Sequence, residues 1–195
     1  RLNTEANAKF MRSVLHEYDA CIVAAGARTD MEVFRYMPGA ELLIDALEIA
    51  HGRKTVGKRV VMIGGGMIGL TIAEFLQKAG HEVTVVEKEK RVGGDIMPTF
   101  KWRHTAWVDE LGIKTQCSSE LVKVTAEGAT VRTAKGEEVF IPCDNVIVSS
   151  PRKANHDLFY EFQWMVDELH GGGDATVPRG LDAAIQEGYK LGVRI

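Results

Sequence analysis

The stretch that most restricts the fold is VVMIGGGMIGLTIAEFLQKAGHEVTVVEKEK, residues 60–90. The apolar run Arg59–Ile63 reads as a buried strand and Gly64–Gly66 as a turn. Met67–Ala79 reads as a helix stopped by Gly80, and Glu82–Glu87 as a second strand. Two strands joined by a helical crossover lie parallel in one sheet. Gly64, Gly66 and Gly69 take the three positions of GxGxxG, each for a physical reason. Gly64 permits a tight turn, Gly66 lets the backbone approach a diphosphate, and Gly69 lets the helix lie close to the strand. Gly65, Met67 and Ile68 complete the loop and open the helix, whose first N–H groups lack helical acceptors and suit an anion. Glu87 closes the second strand, where a carboxylate can accept hydrogen bonds from ribose hydroxyls. This is the pattern of a Rossmann-type unit that binds the ADP part of a dinucleotide.

Which dinucleotide is left open between NAD and NADP. The Glu87 carboxylate would repel a 2′-phosphate, which favours NAD. Lys88, Lys90 and Arg91 follow at once and could hold that phosphate if Glu87 turned away, or could simply form a solvated surface run.

The rest of the chain supplies context. Before the loop, Ala8–Glu17 has amphipathic helical spacing and Ala20–Ala25 is a strand-like apolar run ending in Gly26. Pro38-Gly39 opens a loop before a helix pattern over Leu42–Ile49. After it come a helix over His104–Leu111 and strand-like stretches at Ile113–Thr115, Leu121–Thr125, Thr130–Thr133 and Val139–Pro142. Turns at Glu127-Gly128 and Lys135-Gly136 separate them, and Asn145–Val148 follows as a closing strand. The expected class is α/β: a Rossmann-like parallel sheet whose edge is an antiparallel β-meander. Beyond Pro151 the stretch Arg152–Leu169 is aromatic and irregular. A terminal helix follows from Val177, with small residues on its packing face.

A formal charge of −3 leaves no basic excess for nucleic acid. No apolar run nears the ~20 residues of a membrane helix, and RLNTEANAKF lacks a signal-peptide core, so a cytoplasmic location is expected. Cys21, Cys117 and Cys143 form no CxxC pair or metal-ligand spacing and read as buried small hydrophobes; the scattered histidines suggest no metal either.

The order of motifs resembles a known family. Tyr18-Asp19-Ala20-Cys21-Ile22-Val23-Ala24-Ala25-Gly26-Ala27 resembles a strand of two-dinucleotide flavoprotein reductases, followed by Pro38-Gly39 and the glycine loop. Gly173-Asp174 with Ala183-Ala184-Ile185-Gln186-Glu187-Gly188 resembles their flavin-side helix. The whole is similar to the C-terminal part of the Old Yellow Enzyme-like multidomain reductases, the group of 2,4-dienoyl-CoA reductase, enoate reductases and trimethylamine dehydrogenase. The resemblance is strongest to the dienoyl-CoA reductase branch.

The resemblance implies a fragment or split subunit of a larger flavoprotein. Its partner would be the remainder, a flavin-carrying TIM barrel with an iron–sulfur cluster and the first FAD-binding segment. FAD or FMN would belong to the intact protein, and a homo-oligomer is compatible with the aromatic stretch Phe159–Met165. Residues 1–50 and 151–195 would be the remnant of an interrupted FAD-type Rossmann domain, with 51–150 as an inserted NAD(P)-binding domain. Gly26 and Gly173 would lie beside the flavin dinucleotide. Asp174 would hold a flavin ribityl hydroxyl, or else only cap the terminal helix. Ser149-Ser150-Pro151 departs from the family's Ala-Thr-Gly, which puts close approach to the nicotinamide half in doubt. The implied activity is hydride transfer from NAD(P)H to flavin for reduction of an activated C=C bond. The alternative is a structural ADP-binding module of an amine-dehydrogenase-like flavoprotein. A disulfide reductase fits poorly without CxxC, and no residue stands out as a catalyst.

Overall fold

The computed structural model describes residues 1–195. In chain order it contains α1 (Ala8–Val14), β1 (Cys21–Val23), β2 (Ala27–Thr29), β3 (Leu43–Asp45), α2 (Ala46–Ala50) and β4 (Arg59–Ile63). Next come α3 (Met67–Lys78), β5 (Glu82–Val86), α4 (Pro98–Glu110), β6 (Lys114–Gln116), β7 (Ser119–Thr125) and β8 (Gly128–Thr133). The last are β9 (Glu138–Pro142), β10 (Asn145–Val148), β11 (Arg152–Ala154), α5 (Asp157–Phe162), β12 (Leu169–Gly171) and α6 (Leu181–Arg194). They form two compact units, Thr29–Pro151 and Arg1–Arg28 with Arg152–Ile195.

The central unit is built on a five-stranded sheet of order β3-β10-β4-β5-β6 in which every neighbouring pair is parallel. Strands covered on both faces need apolar side chains in both directions, which is why VVMI in β4 shows no polar alternation. Val60 and Met62 pack with Leu70 and Leu76 of α3. Val61 and Ile63 turn the other way, onto Leu121 and Val131. Leu70 and Ala73 are wholly buried, and burial of a leucine side chain contributes about 1.5–3 kcal/mol.

Three expectations are corrected in this unit. The meander β7-β8-β9 is antiparallel as read, but it forms its own sheet covering one face rather than an edge of the parallel sheet. Ile113–Thr115 is not part of it; the strand there, β6, is the parallel edge beside β5. The helix pattern Leu42–Ile49 is also divided. Leu43–Asp45 is a strand paired with β10, and Asp45 then caps α2 by accepting from Leu47 N–H at 3.0 Å. Helical spacing of the apolar residues hid a strand because Leu43 and Ile44 enter the cores on opposite sheet faces. The compact unit that contains this strand is Thr29–Pro151.

In the flanking unit β1 and β12 pair in parallel, and β2 and β11 form a second two-stranded sheet. Only Cys21–Val23 of the Ala20–Ala25 run is strand. Met11, Val14, Val23 and Phe162 make a small core. The irregular stretch beyond Pro151 contains β11 and α5, and Trp164 within it is exposed. α6 begins at Leu181 rather than Val177 and packs through Ala184 and Leu191 on Gly173 and Gly172. Of the cysteines, Cys143 is buried, while Cys21 and Cys117 are half-buried rather than fully enclosed; all three are free thiols. Burial pushes all three thiols above their ordinary value. No helix is long and apolar enough to cross a membrane.

Candidate dinucleotide site

The glycine loop lies at the carboxyl end of β4, where open parallel sheets present their ligand crevice. Gly64 has φ +99°, and a Cβ there would stand 2.3 Å from Ser150 Oγ. A Cβ on Gly69 would stand 1.9 Å from the Gly64 carbonyl oxygen, so helix and strand touch at a distance only glycine allows. The N–H of Gly65 donates to Glu87 Oε2 at 2.6 Å, and that of Glu89 donates to Glu87 Oε1 at 2.8 Å. Glu87 is thus held against the loop, its carboxylate lodged between the turn and the end of the second strand. A cavity of about 730 Å³ opens beside it, lined among others by Gly64, Glu87, Lys88, Ser119, Arg132 and Ser150. That volume suits a cofactor moiety.

Of the sequence-read residues Gly64, Glu87 and Lys88 line this cavity, whereas Gly65, Gly66, Met67, Ile68 and Gly69 do not; Gly65 is tied to Glu87 by its N–H, and the other four continue the loop into α3. Arg91 is exposed and does not line the cavity. The buried Ser149 hydroxyl lies 3.1 Å from the carbonyl oxygens of both Ile63 and Gly64.

One functional group was invisible to sequence reasoning. Asp95, in the loop between β5 and α4, accepts from the Met67 N–H through Oδ1 at 2.9 Å. It caps α3, which has no side chain of its own at Gly66 for that purpose. The main-chain cradle and Glu87 fit a dinucleotide, and the exposed Asp95 carboxylate stands on the first amide of the helix.

The flanking unit has a separate cavity of about 350 Å³, lined among others by Ile22, Gly26, Gly173, Asp174 and Ala184. Gly26 has φ +70°, with open space where a Cβ would point. Asp174 Oδ1 accepts from the N–H groups of Arg179 and Gly180, each at 3.0 Å, and so orders the turn into α6. Glu187 folds back from α6 to accept from Gly173 N–H at 2.8 Å. Its ion pair with Arg179 holds its carboxyl below the usual carboxylate range. The sequence showed Glu187 only as part of a helix pattern; its contact with Gly173 needs the turn to bring the two together.

The comparisons with known proteins agree with this fold. The family described as pyridine nucleotide-disulphide oxidoreductase matches residues 5–173, and the chain belongs to that family. Cinnamate reductase of Clostridium sporogenes is 31% identical over 163 residues, covering 80% of this chain and 24% of the relative. A solved structure of a 2-naphthoyl-CoA reductase complexed with 2-naphthoyl-CoA matches with TM-score 0.90 and 29% identity, over 100% of this chain and 29% of that one. Histamine dehydrogenase from Rhizobium sp. 4-9 shares the fold, with TM-score 0.82 and 18% identity, over 97% of this chain and 32% of that one. The chain thus spans about a quarter to a third of the length of these relatives.

Proposed function

We propose that this chain is the nucleotide-binding part of a flavin-dependent reductase of the Old Yellow Enzyme-like multidomain group. NAD(P)H would bind along Gly64–Gly69, with Glu87 on its adenosine ribose. Gly26, Gly173 and Asp174 would hold part of a flavin dinucleotide. When bound, these cofactors supply the redox chemistry, hydride donation by nicotinamide and its acceptance by flavin; the chain's residues bind and orient them. The observation that carries this reading is the Gly64–Gly69 contact beside Glu87, a parallel crossover whose amides and carboxylate suit diphosphate and ribose. NAD is favoured over NADP because both Glu87 oxygens are held by main-chain N–H groups, which keeps a negative charge where a 2′-phosphate would lie.

Reduction of an activated C=C bond in another part of the enzyme is the activity we assign. It is supported by relatives named cinnamate reductase and 2-naphthoyl-CoA reductase. A second reading, a structural ADP site, is favoured by one observation. Ser149 and Ser150 crowd Gly64, with a Gly64 Cβ position 2.7 Å and 2.3 Å from their hydroxyls. Calorimetry with NADH, NADPH and ADP separates the two readings. We expect NADH to bind more tightly than either; equal affinity for ADP and NADH would remove the case for nicotinamide use.

A further inference from the structure

The loop from β5 to α4 delivers a carboxylate to the amide that the reading above gives to a phosphate. Asp95 is aimed by its neighbours. Val92 and Ile96 are buried on either side of it, and the Gly93 N–H donates to the Gly65 carbonyl at 2.7 Å. The carboxylate comes so close to the glycine loop that a Cβ on Gly66 would stand 2.6 Å from Oδ2 and 2.8 Å from Oδ1. Gly66 is bare on the side that Asp95 fills. The Asp95 side chain is nevertheless exposed, so rotation about its own bonds carries it into water without disturbing Val92 or Ile96.

The Met67 N–H opens a helix of 12 residues, where the partial positive charge of the backbone is concentrated. Two anions in contact at that point repel one another, so a bound diphosphate and the Asp95 carboxylate exclude each other.

We infer that Asp95 is a tethered competitor for the diphosphate, capping α3 in the ligand-free protein and yielding its place when a dinucleotide binds. The inference rests on the dinucleotide reading and adds to it a built-in brake on affinity. The brake acts on every ligand that presents a diphosphate and spares ligands that lack one. Apparent affinity falls by the fraction of molecules in which Asp95 is withdrawn, so a withdrawn population of about one in ten weakens binding about tenfold.

Calorimetry with ADP, NADH and adenosine on the wild-type protein, Asp95→Ala and Asp95→Asn tests this. Asp95→Ala is expected to bind ADP and NADH about tenfold more tightly and adenosine unchanged. Asp95→Asn, which keeps an acceptor and loses the charge, is expected to fall between. In parallel, ligand-free Asp95→Ala is expected to unfold at a lower temperature and to show a larger rise in that temperature on adding NADH. Unchanged or weaker binding of ADP and NADH by Asp95→Ala overturns the inference, as does an equal gain for adenosine. If wild type and both variants keep their native circular dichroism and bind none of the three ligands, the dinucleotide reading itself falls.

Discussion

Gly69→Ala strikes the closest contact in the site. The added methyl would start 1.9 Å from the Gly64 carbonyl oxygen and 2.7 Å from Ser149 Oγ. The first neighbour is backbone, so no side-chain rotation relieves the clash and α3 must move off β4 by roughly 1 Å, given ordinary carbon–oxygen contact distances. Overpacking of this kind costs about 1–3 kcal/mol. For a chain of this size each kcal/mol lowers the unfolding temperature by about 2–4 °C, so a fall of roughly 2–12 °C is expected by circular dichroism. The same displacement withdraws the helix amides from the diphosphate, and NADH affinity should drop at least tenfold, about 1.4 kcal/mol. Gly80→Ala is the control. Gly80, unlike Gly69, has a left-handed φ of +94° and nothing near its Cβ position, so the substitution should destabilise by about 1–2 kcal/mol and leave NADH binding unchanged. Gly69→Ala with wild-type unfolding and wild-type affinity would refute the close-packing argument.

Further outcomes follow from single contacts. Glu87→Ala removes the acceptor of both the Gly65 and Glu89 N–H groups. It should weaken NADH by about tenfold or more while shifting preference toward NADPH, as read by calorimetry. Asp144 accepts from the Arg59 main-chain N–H at 2.8 Å and its guanidinium at 2.7 Å, which holds its carboxyl below the ordinary range. A depressed folded value adds stability above the unfolded value of about 3.9 and loses it as pH falls through the folded one. The stability gap between wild type and Asp144→Asn should therefore be constant from neutral pH to about pH 5 and close in more acid solution. Cys143, buried and pushed up by desolvation, should resist alkylation at pH 7 until the protein is unfolded, as followed by mass spectrometry.

What could be read from the chain depended on how local the signal was. β4, the glycine loop, α3 and β5 sit within a residue or so of where apolar runs and glycines put them. Each is specified by its own neighbours: VVMI has no polar face, and Gly80 stops the helix. β3 escaped because its pairing with β10 joins residues about a hundred apart and Leu43–Asp45 has helical spacing. α4 begins at Pro98, earlier than His104, since its first turns are exposed, Phe100 and Trp102 included, and bury no apolar face that would mark a helix. Within the site, Gly64, Gly66, Gly69 and Glu87 follow from a motif whose members are near one another in sequence. Asp95 does not, because only the path of the loop brings it back onto the helix it caps. The sequence reads Asp174 as a flavin-holding acid or else a helix cap, and its carboxylate accepts from the Arg179 and Gly180 N–H groups; the Glu187 contact with Gly173 was hidden for the same reason as Asp95.

The dinucleotide reading is tested most directly by a structure of the protein determined with NADH bound. We expect diphosphate oxygens within about 2.7–3.2 Å of the first N–H groups of α3, Glu87 on the adenosine ribose, and Asp95 turned away from Met67. NADH seated elsewhere, with Asp95 still on the Met67 N–H at saturating ligand, would contradict it.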